Sequence, residues 1–90
     1  MPKEEVIKKV IHGKAHVRIG KSGISEGVIN EIKRQLDSLN VIKVKVLRSY
    51  LKVSGKKTKE IAEEVASKVN AKVADVRGHT FVLVKVKSKG

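Results

Sequence analysis

Ninety residues with 40% hydrophobic and 2% aromatic content make one small domain, leave little room for a second, and argue against a disordered basic tail. Cysteine is absent, which excludes a disulfide framework and a Cys-based zinc site, and no apolar run approaches the ~18 residues of a membrane span. The 21 Lys and Arg against 9 Asp and Glu give a formal charge of +12, which draws a chain to polyanions; a solvated thermophile-style surface, an anionic membrane or an acidic protein partner are the other readings of that charge.

The opening MPKEEV has no apolar segment behind it, so no secretory signal is expected and the location is expected to be cytoplasmic. From Lys3 to His12, the apolar stripe Val6, Ile7, Val10, Ile11 predicts a short helix that stops at Gly13. A strand follows over Ala15–Ile19, with Ala15, Val17 and Ile19 on one face and His16 and Arg18 on the other. After the connection Gly20-Lys21-Ser22-Gly23, Ser25 is placed to cap a second helix whose stripe is Val28, Ile29, Ile32, Leu36 and Leu39. Beyond Asn40, Ile42, Val44 and Val46 alternate with Lys43 and Lys45, which predicts a half-buried strand. Ser49 to Lys57, with Tyr50 and Ser54-Gly55, reads as a loop. Thr58 is placed to cap a third helix that runs to Val69. Strands over Lys72–Val76 and Thr80–Lys87, joined at Arg77-Gly78-His79, then read as an antiparallel hairpin.

The order α-β-α-β-α-β-β predicts a two-layer α/β domain over residues 1–90 with a mixed four-stranded sheet, in which two crossovers make parallel neighbours. Helices are expected on one sheet face. The other is expected to stay open and to carry His16, Arg18, Lys43, Lys45, Lys85 and Lys87, with Phe81 and Leu83 either packed beneath the first helix or forming an apolar contact patch.

Chemistry-bearing constellations are scarce. Glu60, Glu63 and Glu64 share a helix without further ligands, His12, His16 and His79 lack metal-binding spacing, and Ser22 and Ser25 have no base in order. No catalytic residue, metal or cofactor is expected. The glycine-rich connection says more. Glycines let a backbone approach a ligand closely, the helix that follows offers free N–H groups, and Lys21 and Ser22 add a charge and a hydroxyl, a combination suited to phosphate. It fits neither the Walker A pattern, which needs Lys-Ser after the second glycine, nor GxGxxG. From Lys43 to Lys59 there are seven cations and no acid, and Lys52, Lys56, Lys57 and Lys59 are expected to wall a groove with the loop Gly20, Lys21, Ser22 and Gly23, with Arg18 as a further binding residue. Tyr50, as a base-stacking residue or as a pin for the loop, and Lys43, Lys45 and His79 are further candidates.

The stretch from Arg18 through Gly20-Lys21-Ser22-Gly23-Ile24-Ser25-Glu26-Gly27 to Ile29 resembles the signature of the CRM family, the chloroplast RNA splicing and ribosome maturation domain. Leu39–Val46, Ile61-Ala62 and Val76–Leu83 extend the resemblance over nearly the whole chain, in the manner of the small stand-alone prokaryotic members. It implies a fold similar to the C-terminal domain of bacterial translation initiation factor three, with a KH-like GxxG loop contacting RNA through Gly20, Lys21, Ser22 and Gly23. It also implies binding of structured RNA, such as ribosomal RNA precursors or group II introns, without enzymatic activity. Many members carry Gly-Lys-Thr at the turn that is Arg77-Gly78-His79 here, so the basic residue is displaced. The expected role is an assembly or maturation factor on ribosomal RNA, its precursor or ribosomal particles. A general nucleic-acid binder that also engages DNA and a structural ribonucleoprotein component are the alternatives. A monomer without membrane association is expected, and the Lys excess without Cys suits an archaeal thermophile.

Overall fold

The structure, a computed structural model, describes residues 4–86. Its elements are α1 (Glu4–His12), β1 (Val17–Ile19), α2 (Glu26–Leu39), β2 (Val41–Val46), α3 (Arg48–Ser54), α4 (Thr58–Val69), β3 (Ala71–Arg77) and β4 (Thr80–Lys85). The expected positions Lys3 and Lys87 lie outside the described residues. Mixed α/β character and the four-stranded mixed sheet agree with the sequence reading; α3 is an additional helix where a loop was expected.

Local chemistry sets the long helices. The Ser25 side chain accepts the Val28 N–H at 3.3 Å and starts α2, as its position predicts. Asn40 and Asn70 adopt left-handed backbone at φ 66° and 54° and close α2 and α4, each donating its N–H to the carbonyl four residues back. Thr58 does not cap α4. Lys57 holds the cap position, and Thr58 lies inside the first turn, buried among the residues Ile61, Ala62, Val65, Ala66 and Val69 that α4 turns inward.

Strand order is β1-β2-β4-β3. The first crossover gives the expected parallel pair of β1 and β2. The second does not, because β4 lies between β2 and β3 and runs antiparallel to both. Composition explains the insertion. Phe81, Val82 and Leu83 are buried and suit a central strand, whereas β3 carries exposed Lys72, Ala74 and Arg77 and a register shift between Val73 and Asp75, features that suit an edge.

The main core lies between the sheet and the pair α2 and α4. Ile32, Leu36, Ile61, Ala62, Val65 and Val69 cover Val17, Ile19, Ile42, Val44, Val46, Phe81 and Leu83. Phe81 and Leu83 therefore belong to this core and not to the second face. Val41 and Val82, 1% and 2% exposed, are buried outside that cluster, on the face where α1 packs against β2 and β4.

That second face is partly closed. Lys43 reaches across it and donates from Nζ to the carbonyls of Ile11 at 2.7 Å and Gly13 at 2.9 Å, a cation closing the C-terminal end of α1. The Lys43 N–H donates to His16 Nδ1 at 3.0 Å. Lys85 alternates with Val84 onto the side of Leu83 and bonds Asp37 of α2 at 2.9 Å, so it does not join the open face. Arg18 and Lys45 are exposed there, as expected.

Candidate nucleic-acid interface

Three connections gather at one end of the sheet. Ile19 and Val46 are register partners at the ends of the parallel strands β1 and β2, and the Leu47 N–H donates to the Ile19 carbonyl at 2.9 Å. The Val46 N–H donates to the His79 carbonyl at 2.7 Å, which brings the Arg77–His79 turn to the same end. The Gly20–Gly23 loop, α3 and the hairpin turn are thereby neighbours.

The loop is a tight turn closed by the Gly23 N–H on the Gly20 carbonyl at 2.8 Å. Lys21 and Ser22 occupy its exposed tip, immediately before the capped N-terminus of α2. The glycines face inward. A Cβ on Gly20 would stand 3.3 Å from Leu47 Cδ1, and one on Gly23 would stand 2.6 Å from Tyr50 Cε1. The close approach that these glycines permit is therefore to α3, and it turns the Lys21 and Ser22 side chains away from the domain.

Gly23 also has φ +72°, so an alanine there meets both left-handed strain and the Tyr50 ring. Gly23→Ala is expected to destabilise the fold by about 2 kcal/mol. Gly55→Ala, at φ +68° in open space, isolates the backbone part and should cost less. Urea unfolding of the two variants checks this; equal losses would mean that Tyr50 does not press on the loop.

Ser49–Lys57 is mostly helical, which corrects the loop expected there. Tyr50 and Leu51 pack against the core, while Arg48, Ser49, Lys52 and Val53 face solvent, and Gly55 closes the helix at φ 68°. Tyr50 is half-buried against Gly23, the arrangement of a pin. Lys56 donates to Glu64 at 2.7 Å, and this carboxylate holds the ammonium above the usual lysine range, with the nearby Tyr50 and Glu60 acting the same way. Its charge is thus shared with α4. Lys57 and Lys59 are exposed at the start of α4, and Lys52 lies on the outer face of α3.

Of the other expected site residues, Lys43 is engaged with α1, and His79 is exposed in the hairpin turn. Arg77 beside it is held by Asp75 at 3.1 Å. Arg48 was not singled out as a site residue, although it stands in the same cation run; its place on α3, four residues before Lys52, brings it to this end. Among the described residues no three His, Asp or Glu side chains gather as a metal site requires, and no helix is long and apolar enough to cross a membrane.

Known proteins resemble this chain in sequence and in fold. A family model described as the CRS1/YhbY (CRM) domain matches residues 2–85. The chain is 42% identical over 82 residues to Probable RNA-binding protein MJ0652 of the archaeon Methanocaldococcus jannaschii. That match covers 86% of this chain and 59% of the relative, so the chain spans about three-fifths of the relative's length. The solution structure of SAV1595, a hypothetical Staphylococcus aureus protein described as a candidate RNA binder, superimposes with a TM-score of 0.68. The overlay covers 99% of this chain and 93% of that one at 22% identity, a likeness of fold.

Proposed function

The chain belongs to the CRS1/YhbY (CRM) domain family, and from that premise we propose that it is an RNA-binding protein that grips phosphate backbone at the loop Gly20–Gly23 and along α3. The observation that carries this reading is the inward seating of both glycines, which leaves Lys21 and Ser22 as a projecting tip beside a helix N-terminus. Arg48 and Lys52 on α3 and Lys57 beyond it extend the positive surface from that tip. Contacts of this kind follow the shape of a folded RNA more than its sequence. The finer role is assembly or maturation of ribosomal RNA, its precursor or ribosomal particles, performed as a monomer and without catalysis; the name of the archaeal relative and the absence of an ordered acid–base set in the sequence support binding over chemistry.

Salt titration tests the reading. If Lys21, Arg48, Lys52 and Lys57 each neutralise one phosphate, the log–log slope of affinity for a labelled RNA hairpin against salt should be about −3 or steeper, from ~0.7–0.9 counterions per phosphate. A slope near zero would overturn it. A DNA hairpin of matched sequence, titrated alongside, separates RNA binding from general polyanion binding.

A further inference from the structure

Arg18 and Lys45 are register partners on adjacent parallel strands, and their side chains emerge side by side on the second sheet face. Both are exposed, and neither has a salt-bridge or side-chain hydrogen-bond partner among the described residues. Like charges directly opposite one another across strands repel and weaken a sheet. The row continues across β4 and β3 through Thr80, the partner of Lys45, and Arg77, the partner of Thr80. Three strand spacings of ~4.8 Å make it ~14 Å long. The surrounding chemistry differs along it: Arg77 already has Asp75, while among the described residues no carboxylate pairs with Arg18 or Lys45 at the β1–β2 end. That end lies two residues before Gly20, so it adjoins the loop through the same strand. The α1 helix is tied down one pair further back, at Lys43, and leaves Arg18 and Lys45 uncovered.

We propose that RNA backbone held at the loop continues over the second face of the sheet, with a phosphate seated between Arg18 and Lys45. This rests on the RNA-binding reading above and adds the path that the strand takes: away from α2 and α4 and across the row of Arg18, Lys45 and Thr80. An anion between the two cations turns their mutual repulsion into two attractions, so the free protein carries a repulsion that the complex removes. Stability and affinity should then move in opposite directions when one cation is neutralised.

The test uses Arg18→Gln and Lys45→Gln, with Lys72→Gln at the far end of β3 as a control. Urea unfolding without RNA and affinity for the labelled RNA hairpin are measured for each. Each row variant is expected to unfold at the same or higher urea concentration than the unaltered protein, to bind RNA about tenfold more weakly, and to lower the salt slope by about one. The control should change none of these. Affinity within twofold of the unaltered protein at an unchanged slope overturns the proposal. So does a titration in which the Arg18 and Lys45 backbone amides do not shift in the unaltered protein. If the row variants bind normally while substitution of Lys21 abolishes binding, the path alone is wrong; if substitution of Lys21 also leaves binding intact, the RNA-binding reading of this end fails with it.

Discussion

Replacing Lys21 and Ser22 together by Asp is expected to lower RNA affinity about 100-fold while leaving the fold intact. The double substitution removes one positive charge and sets two negative ones at the exposed tip between the two glycines that face α3. Loss of one charge-assisted hydrogen bond alone is worth ~1.5–3 kcal/mol, and each ~1.4 kcal/mol is tenfold in affinity. Repulsion of the phosphate adds to this. Stability should be spared because acidic side chains near the N-terminus of α2 are locally favourable, and neither replaced side chain is buried. Lys72→Glu, a charge reversal of two units on exposed β3 against three at the loop, should cost severalfold at most through the overall field. Fluorescence titration at fixed salt, with circular dichroism melting of each variant, makes the comparison. Equal affinities for folded double variant and unaltered protein would reduce the loop to a strand-to-helix turn.

Phe81→Ala is expected to remove ~3–5 kcal/mol of stability, a large part of the ~5–15 kcal/mol that small domains have. The ring is fully buried on the central strand β4, level with Val44 on one side and Val76 on the other, and beneath α2 and α4. The one other large ring of the chain, Tyr50, is seated against Gly23. Val82→Ala, under α1 on the opposite face, removes less volume and should cost ~1–2 kcal/mol. Urea midpoints order the two. A loss for Phe81→Ala no larger than that for Val82→Ala would contradict the assignment of Phe81 to the main core.

The difference between those neighbours shows where the sequence is legible and where it is not. Alternation in β2 is clean: Ile42, Val44 and Val46 point inward and Lys43 and Lys45 outward, so its faces follow from the pattern. Phe81-Val82-Leu83-Val84 is apolar on both faces, and an unbroken run cannot tell which parity meets the larger core. α3 did leave a signal. Leu47, Tyr50, Leu51 and Ser54 recur at helical spacing with Gly55 behind them, yet a segment of seven residues that includes Arg48, Ser49, Lys52 and Ser54 also suits a loop. Thr58 is a favourable cap residue by type, but its burial inside α4 outweighed that preference. Strand order had no local signal, because which strand of the hairpin sits beside β2 is decided by burial of β4 as a whole. At the candidate site, residue types pointed to Lys21 and Ser22 directly, whereas the seating of Gly23 on Tyr50 depends on a helix 27 positions downstream and needed the fold.

The insertion of β4 bears on how the chain acquires its shape during synthesis. A ribosome releases β1, α2, β2, α4 and β3 before the strand that joins them. Until Thr80–Lys85 emerges, β2 lacks one neighbour, β3 has none, and the core lacks Phe81 and Leu83. No N-terminal fragment of this domain is a smaller version of it. The hairpin turn joins the loop and α3 at that end of the sheet only once β4 has paired with β2. Translation that stops at Gly78 therefore removes the middle of the sheet, not its margin, and leaves chain that is strongly cationic and without a closed core.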